Sequence, residues 1–142
     1  MPSPPHRAAA VTHRILIVDD QPDLAGMMSD LLLDAGYATR TAVDGRAALA
    51  EVQADPPDLL LLDVQMPEFD GFEVATMLKA DPATATIPII MVSAHEGRGA
   101  RLVGLESGAE DYLSKPVDPA ELLAKIRNLL LLRERVVHAA QH

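Results

Sequence analysis

Three short apolar runs punctuate the first two thirds of the chain: Ile15-Leu16-Ile17-Val18, Leu59-Leu60-Leu61-Leu62 and Ile87-Pro88-Ile89-Ile90-Met91-Val92. Each is continuous rather than alternating, the pattern of a parallel strand covered on both faces. Weaker strand patterns lie at Ala38–Val43 and Asp111–Leu113. Between the strands the period changes. Leu24, Met27, Met28, Leu31 and Leu32 follow i, i+3, i+4, i+7, i+8 spacing, and Gly36 supplies a C-terminal stop. Further helices are expected at Ala47–Ala54, Phe72–Ala80, Ala100–Ser107 and Pro119–Val137. Strand and helix thus alternate five times. This order predicts an α/β doubly wound fold, a five-stranded parallel sheet flanked by five helices.

Two segments fall outside that repeat. Three prolines within the first five residues prevent a helix or a sheet centre, so residues 1–12 read as a flexible N-terminal tail. The last helix has room to run from Pro119 to about Ala140, ~30 Å by helical rise, whereas strands of this kind need only ~17–20 Å of cover. The expected division is a tail over 1–12, a folded body over 13–132 and an extension of the last helix over 133–142. Two readings of the extension stand side by side: a solvated polar end, or a dimer contact or linker to an output domain.

At 142 residues the chain has the length of one domain, and 49% hydrophobic residues suffice for a core. With 3% aromatics and no Trp, that core must be aliphatic. Cys is absent, which removes disulfides, thiolate zinc sites and cysteine nucleophiles together. The formal charge of −9 argues against direct nucleic-acid binding. No apolar run approaches the ~20 residues of a membrane span, and the N-terminus lacks a signal-peptide apolar region. A cytoplasmic location is the expectation.

Open parallel sheets bind ligands beyond the carboxyl ends of their strands. There the sequence places Asp19-Asp20 after the first strand, Asp63 after the third, Ser93 after the fourth and Lys115-Pro116 after the fifth. Each has an ordinary structural reading alone: an Asp as helix N-cap or turn initiator, Ser93 on a loop amide, Lys115 as a surface charge. Together they point to chemistry. Two carboxylates ~4 Å apart repel by about 4 kcal/mol at an effective dielectric near 20. Three on one edge need protons, Lys115 or a bound cation. Oxygen ligands favour a hard divalent ion such as magnesium, and His95 as the one nearby His makes zinc a poor fit. An attacking carboxylate, a metal, a lysine and a hydroxyl form a set suited to phosphoryl transfer.

Four stretches carry a family resemblance: Ile15–Asp20; Asp63-Val64-Gln65-Met66-Pro67-Glu68-Phe69-Asp70-Gly71; Ser93-Ala94; and Gly108-Ala109-Glu110-Asp111-Tyr112-Leu113-Ser114-Lys115-Pro116. In these the chain resembles a bacterial two-component response-regulator receiver domain over about residues 14–130. The resemblance implies a flavodoxin-like strand order 2-1-3-4-5. It implies Asp63 as phospho-acceptor from a histidine kinase or histidine phosphotransfer protein. It also implies Mg2+ held by Asp20, Asp63 and the Gln65 backbone carbonyl, with Asp19 acting through metal-bound water. Lys115 would pair with the phosphoryl group, ahead of a cis bond to Pro116. Ser93 and Tyr112 would form the switch that remodels the face around the fourth helix, fifth strand and fifth helix. That face would control an output domain or effector protein; a homodimer through the last helices is the expectation of the dimer-contact reading of the extended helix, beside the resemblance. Such a protein is no turnover enzyme, since it phosphorylates and dephosphorylates its own Asp.

Gln65 and His95 hold positions that tune phosphoryl lifetime in the resembled family. Asp70-Gly71 reads as cap and start of a helix, and Gly97-Arg98-Gly99 as a loop, since Leu102 stands where a third fingerprint Gly belongs. A non-phosphorylated, receiver-like scaffold is the alternative function. A haloacid-dehalogenase-like phosphatase would place its two acids two apart after the first strand, and a flavin module would need a Ser/Thr/Gly-rich loop there. Asp19-Asp20-Gln21-Pro22-Asp23 satisfies neither.

Overall fold

In the computed structural model, residues 12–66, 68, 70–94 and 106–140 are described, the side chains of 135–140 excepted. The strands are β1 (Arg14–Val18), β2 (Ala38–Ala42), β3 (Leu59–Asp63), β4 (Ile89–Ser93) and β5 (Asp111–Ser114). All pair in parallel, in the order β2-β1-β3-β4-β5. The described helices are α1 (Pro22–Asp34), α2 (Gly45–Ala54), α3 (Gly71–Ala80) and α4 (Pro119–Ala140). The expected sheet and order are present. The helix expected at Ala100–Ser107 lies almost wholly outside the described residues, as do His95, the Gly97-Arg98-Gly99 loop and residues 1–11 of the expected tail. The described helices therefore number four.

Alternation along each strand builds two cores. Ile15, Ile17, Leu59, Leu61, Ile90, Val92 and Leu113 face α1 and α4, meeting Met28, Leu32, Leu122, Ile126 and Leu130. Leu16, Val18, Leu60, Leu62, Ile89 and Met91 face the other way, onto Ala48, Val52, Val74, Ala75 and Leu78 of α2 and α3. Both faces of β1, β3 and β4 are thus covered, which is why their sequences do not alternate. The edges differ. β2 carries Arg40, which pairs with Glu51 at 2.7 Å, and β5 carries Asp111, which accepts from Lys125 at 2.9 and 3.0 Å. Charged edges resist pairing with another sheet.

Local signals set the helix limits. Pro22 opens α1, where its missing N–H costs nothing. Gly36, at φ +98°, closes it: Tyr37 N–H bonds Leu32 O and Gly36 N–H bonds Leu33 O, a Schellman stop. Asp44 caps α2 through Ala47 N–H at 2.7 Å. Asp70 and Glu73 form a reciprocal capping box on α3, as the Asp70 cap reading expects. β4 starts at Ile89, later than the apolar run, because Pro88 has no N–H to donate; its carbonyl still accepts from Leu60 N–H at 3.0 Å.

The 22-residue α4 outruns the sheet. Arg133 Nη1 donates to Asp58 Oδ1 and to its carbonyl, and His13 pairs with Glu134 at 2.6 Å. Both contacts sit where β1 and β3 begin. The remaining helix, to Ala140, runs past that edge.

Candidate functional site

Register brings the acids together. Val18 pairs with Leu62, so the next residues, Asp19 and Asp63, stand side by side where two buried strands end. Asp19 is 1% exposed and Asp63 3%, while Asp20 is exposed beside them. One carboxylate oxygen from each lies within 4.8 Å of the others. Among the described residues this is the one such acidic group able to hold a metal.

Lys115 supplies the counter-charge. Its Nζ lies 3.3 Å from Asp19 Oδ2 and 3.3 Å from Asp63 Oδ1. One backbone hydrogen bond holds it there. Lys115 N–H donates to the Ser93 carbonyl at 2.7 Å, and the Lys115–Pro116 peptide is cis. The plain surface-charge reading of Lys115 therefore fails. So does the N-cap reading of Asp19 or Asp20: the α1 cap is Gln21, with no side-chain bond, and Asp19 Oδ1 accepts from Gln21 N–H at 2.9 Å in a turn. Asp63 does serve a turn, accepting from Gln65 N–H at 3.4 Å, without being neutralised by it.

Burial first, and then the Asp19 carboxylate, push the Asp63 carboxyl above the usual carboxylate range; Lys115 and the Gln65 N–H oppose them. One lysine between two buried carboxylates leaves net negative charge, to which exposed Asp20 adds. All donors are oxygens. This set fits a hard divalent cation such as Mg2+, which keeps several waters and takes one or two carboxylates.

Ser93 is fully buried at the end of β4, and Tyr112 is buried in the core cluster on the α2/α3 side. The structure thus gathers Asp19, Asp20, Asp63 and Lys115 at one edge, with Ser93 held to the Lys115 backbone and Tyr112 farther down β5. Gln65 is exposed beside Asp63.

Two features escaped the sequence reading. Gly71 N–H donates to the Val64 carbonyl at 2.8 Å, and a Cβ on Gly71 would lie 2.9 Å from Val64 Cα and closer still to the Asp63 carbonyl oxygen. α3 therefore begins in contact with the backbone of the Asp63 strand end. The -Asp-Gly- pair signalled a cap, and nothing in it signalled this approach. The second is an ion pair across the edge, Arg46 Nη2 to Glu68 Oε2 at 3.5 Å. Two charges 22 positions apart, one in the first turn of α2 and one in the loop after β3, give no sequence signal.

Beside the acids lies an apolar groove of about 510 Å3 between α1 and the start of α4, lined among others by Leu24, Met27, Met28, Val117, Leu122 and Lys115. No described helix is long and apolar enough to cross a membrane.

Known proteins share this architecture. A putative response regulator from Chloroflexus aurantiacus superposes with a TM-score of 0.82 at 39% identity, covering 85% of this chain and 99% of that one. The chemotaxis response regulator CheY4 of Vibrio cholerae gives 0.79 at 34% identity, over 84% and 99%. In sequence, the response regulator PleD of Caulobacter vibrioides is 47% identical over 116 residues, 82% of this chain and 26% of PleD. The DNA-binding dual master transcriptional regulator RpaA of Synechocystis is 43% identical over 129 residues, 91% of this chain and 54% of RpaA. The chain thus spans from about a quarter to about half the length of such relatives. The pattern of the response regulator receiver domain matches residues 15–127, and the chain belongs to that family of two-component signalling domains.

Proposed function

We propose that the chain is the phospho-acceptor of a two-component phosphorelay, with Asp63 as the accepting residue. One observation carries this reading: Asp63 is buried yet bridged to Asp19 by Lys115 at the sheet edge, a geometry a structural Asp does not need. A carboxylate oxygen of Asp63 attacks the phosphorus of a phosphohistidine. The O–P bond forms as the P–N bond breaks, and the electron pair returns to the imidazole nitrogen. Lys115 offsets charge on the phosphoryl oxygens, and the Ser93 hydroxyl donates to them as the switch operates with Tyr112. Asp20, Asp63 and the Gln65 carbonyl would hold Mg2+, with Asp19 acting on it indirectly. When bound, Mg2+ supplies the positive charge that lets an anionic donor approach three acids.

The donor is a histidine kinase or histidine phosphotransfer protein, which must cover this edge; the apolar groove beside Lys115 offers it area without like charge. Residues 13–132 form the receiver body. The extension over 133–142, in which α4 runs on to Ala140, leads to an output domain, an effector protein or a second copy. The location is cytoplasmic. The chemistry acts on the protein's own Asp, so the chain is no turnover enzyme. A non-phosphorylated scaffold is less well supported, because it has no use for a buried carboxylate pair bridged by one lysine.

Intact mass after incubation with Mg2+ and an acyl phosphate, beside Asp63→Asn, tests the assignment. One metal-dependent phosphoryl increment, absent from the variant, is the expected result. An equal increment in Asp63→Asn would refute it.

A further inference from the structure

We propose that Arg46 and Glu68 form a charged rim that sets how readily small anionic phosphodonors and divalent cations enter the acidic site. The inference rests on Asp63 being the acceptor.

Topology places the pair. The sheet order puts β1 between β2 and β3, so the end of β1, with Asp19 and Asp20, lies between the loops that follow β2 and β3. Arg46 stands four residues beyond the end of β2, in the first turn of α2, and Glu68 five beyond the end of β3. Their 3.5 Å ion pair therefore joins the start of α2 to the loop after β3, on either side of Asp20, at the edge that holds the carboxylates.

A second observation is independent of the ion pair. Glu68 is the one non-glycine residue with positive φ among the described residues, at +68°. The left-handed region is unfavourable for a residue with a Cβ, and such outliers gather at functional sites. Stability does not account for the pair. Both side chains are largely exposed, 76% and 68%, and exposed pairs contribute little.

Charge gives each partner a distinct effect. The arginine is a cation at the mouth of a negative site: it attracts an anionic donor and repels Mg2+. The glutamate offsets it on both counts. Neither residue touches the reacting atoms, so the maximal rate of transfer is untouched. They act as positioning charges on approach.

The test compares Arg46→Gln, Glu68→Gln and the double variant in two assays: Mg2+ binding by calorimetry and phosphorylation by acetyl phosphate. Arg46→Gln should raise the acetyl phosphate concentration for half-maximal rate about two- to fourfold and tighten Mg2+. Glu68→Gln should shift both the opposite way, with maximal rates within twofold of wild type. The differences should shrink as ionic strength rises from about 0.01 to 0.5 M, because the Debye length falls from about 30 Å to a few ångströms. A merely structural pair would shift both variants in one direction, without salt dependence, and that result overturns the proposal. Unchanged variants alongside a wild type that gains its phosphoryl increment overturn it alone. A folded wild type that gains none removes the acceptor reading, and the rim inference with it.

Discussion

Replacing Gly71 by alanine should destabilise the domain, although the same change in most helices stabilises it. Gly→Ala within a helix gains up to about 1 kcal/mol from backbone propensity. At Gly71 the added methyl would lie 2.9 Å from Val64 Cα and from Met91 Cε, and nearer still to the Asp63 carbonyl oxygen. Carbon atoms in contact sit about 3.5–4.0 Å apart. The end of Met91 is flexible and can give; the strand backbone is paired on both sides and cannot. The helix cannot retreat without losing the 2.8 Å Gly71–Val64 hydrogen bond, about 1 kcal/mol. Overpacking costs about 1–3 kcal/mol. The rigid backbone contacts put the cost at the upper end of that range, and after the propensity gain the net loss is about 1–2 kcal/mol. Urea denaturation followed by circular dichroism measures it. With m of about 1–3 kcal/mol/M, the midpoint should fall by about 1 M. Gly26→Ala in α1 is the control, since nothing lies within 4 Å of a Cβ there. It should gain up to about 1 kcal/mol. A Gly71→Ala midpoint at or above wild type would refute the steric argument, most plainly if Gly26→Ala moved equally far upward.

Metal-free Asp63→Asn should be more stable than wild type at neutral pH. The native Asp63 carboxyl titrates above its ordinary value of 3.8, so native stability falls as pH rises through the native titration. Urea midpoints for the two proteins should therefore converge as pH drops below that ordinary value, and a gap that widened there would contradict the sign. Lys115→Ala should retain Mg2+ binding and tighten it, because the ammonium 3.3 Å from both Asp19 and Asp63 no longer competes. Loss of binding by calorimetry would show that the lysine builds the metal site. Lys79 Nζ donates to Ala85 O, Ile87 O and Glu110 Oε2 at 3.0, 2.8 and 2.7 Å, tying the end of α3 to the turn before β5. Lys79→Met should cost about 2–3 kcal/mol in urea denaturation, and a loss under 0.5 kcal/mol would mean that the carbonyls find water instead.

Much of the fold is legible from Ile15–Val18, Leu59–Leu62 and the α1 spacing, because strand and helix periods are local properties of the chain. The edge strand β2, Ala38-Thr39-Arg40-Thr41-Ala42, is weak as a pattern for a physical reason: only part of its surface is buried, and Arg40 is held by Glu51 and the Asp55 carbonyl. The acids at the strand ends could be found because a parallel sheet sends every carboxyl end to one edge. Their separate environments could not. Asp19 and Asp20 are adjacent and chemically identical, yet one is buried against Lys115 and the other faces water.

The sequence by itself determined the order of elements, the two-sided cover of the sheet and which residues reach its functional edge, since periodicity and strand polarity specify these without long-range distances. Only the tertiary structure decided that Lys115 stands between Asp19 and Asp63, that Gly71 must lack a side chain and that Arg46 meets Glu68. Each depends on the register of paired strands and on the closeness of loops remote in sequence. Shifts of an ångström or two there decide which charges pair, and a linear pattern does not encode them.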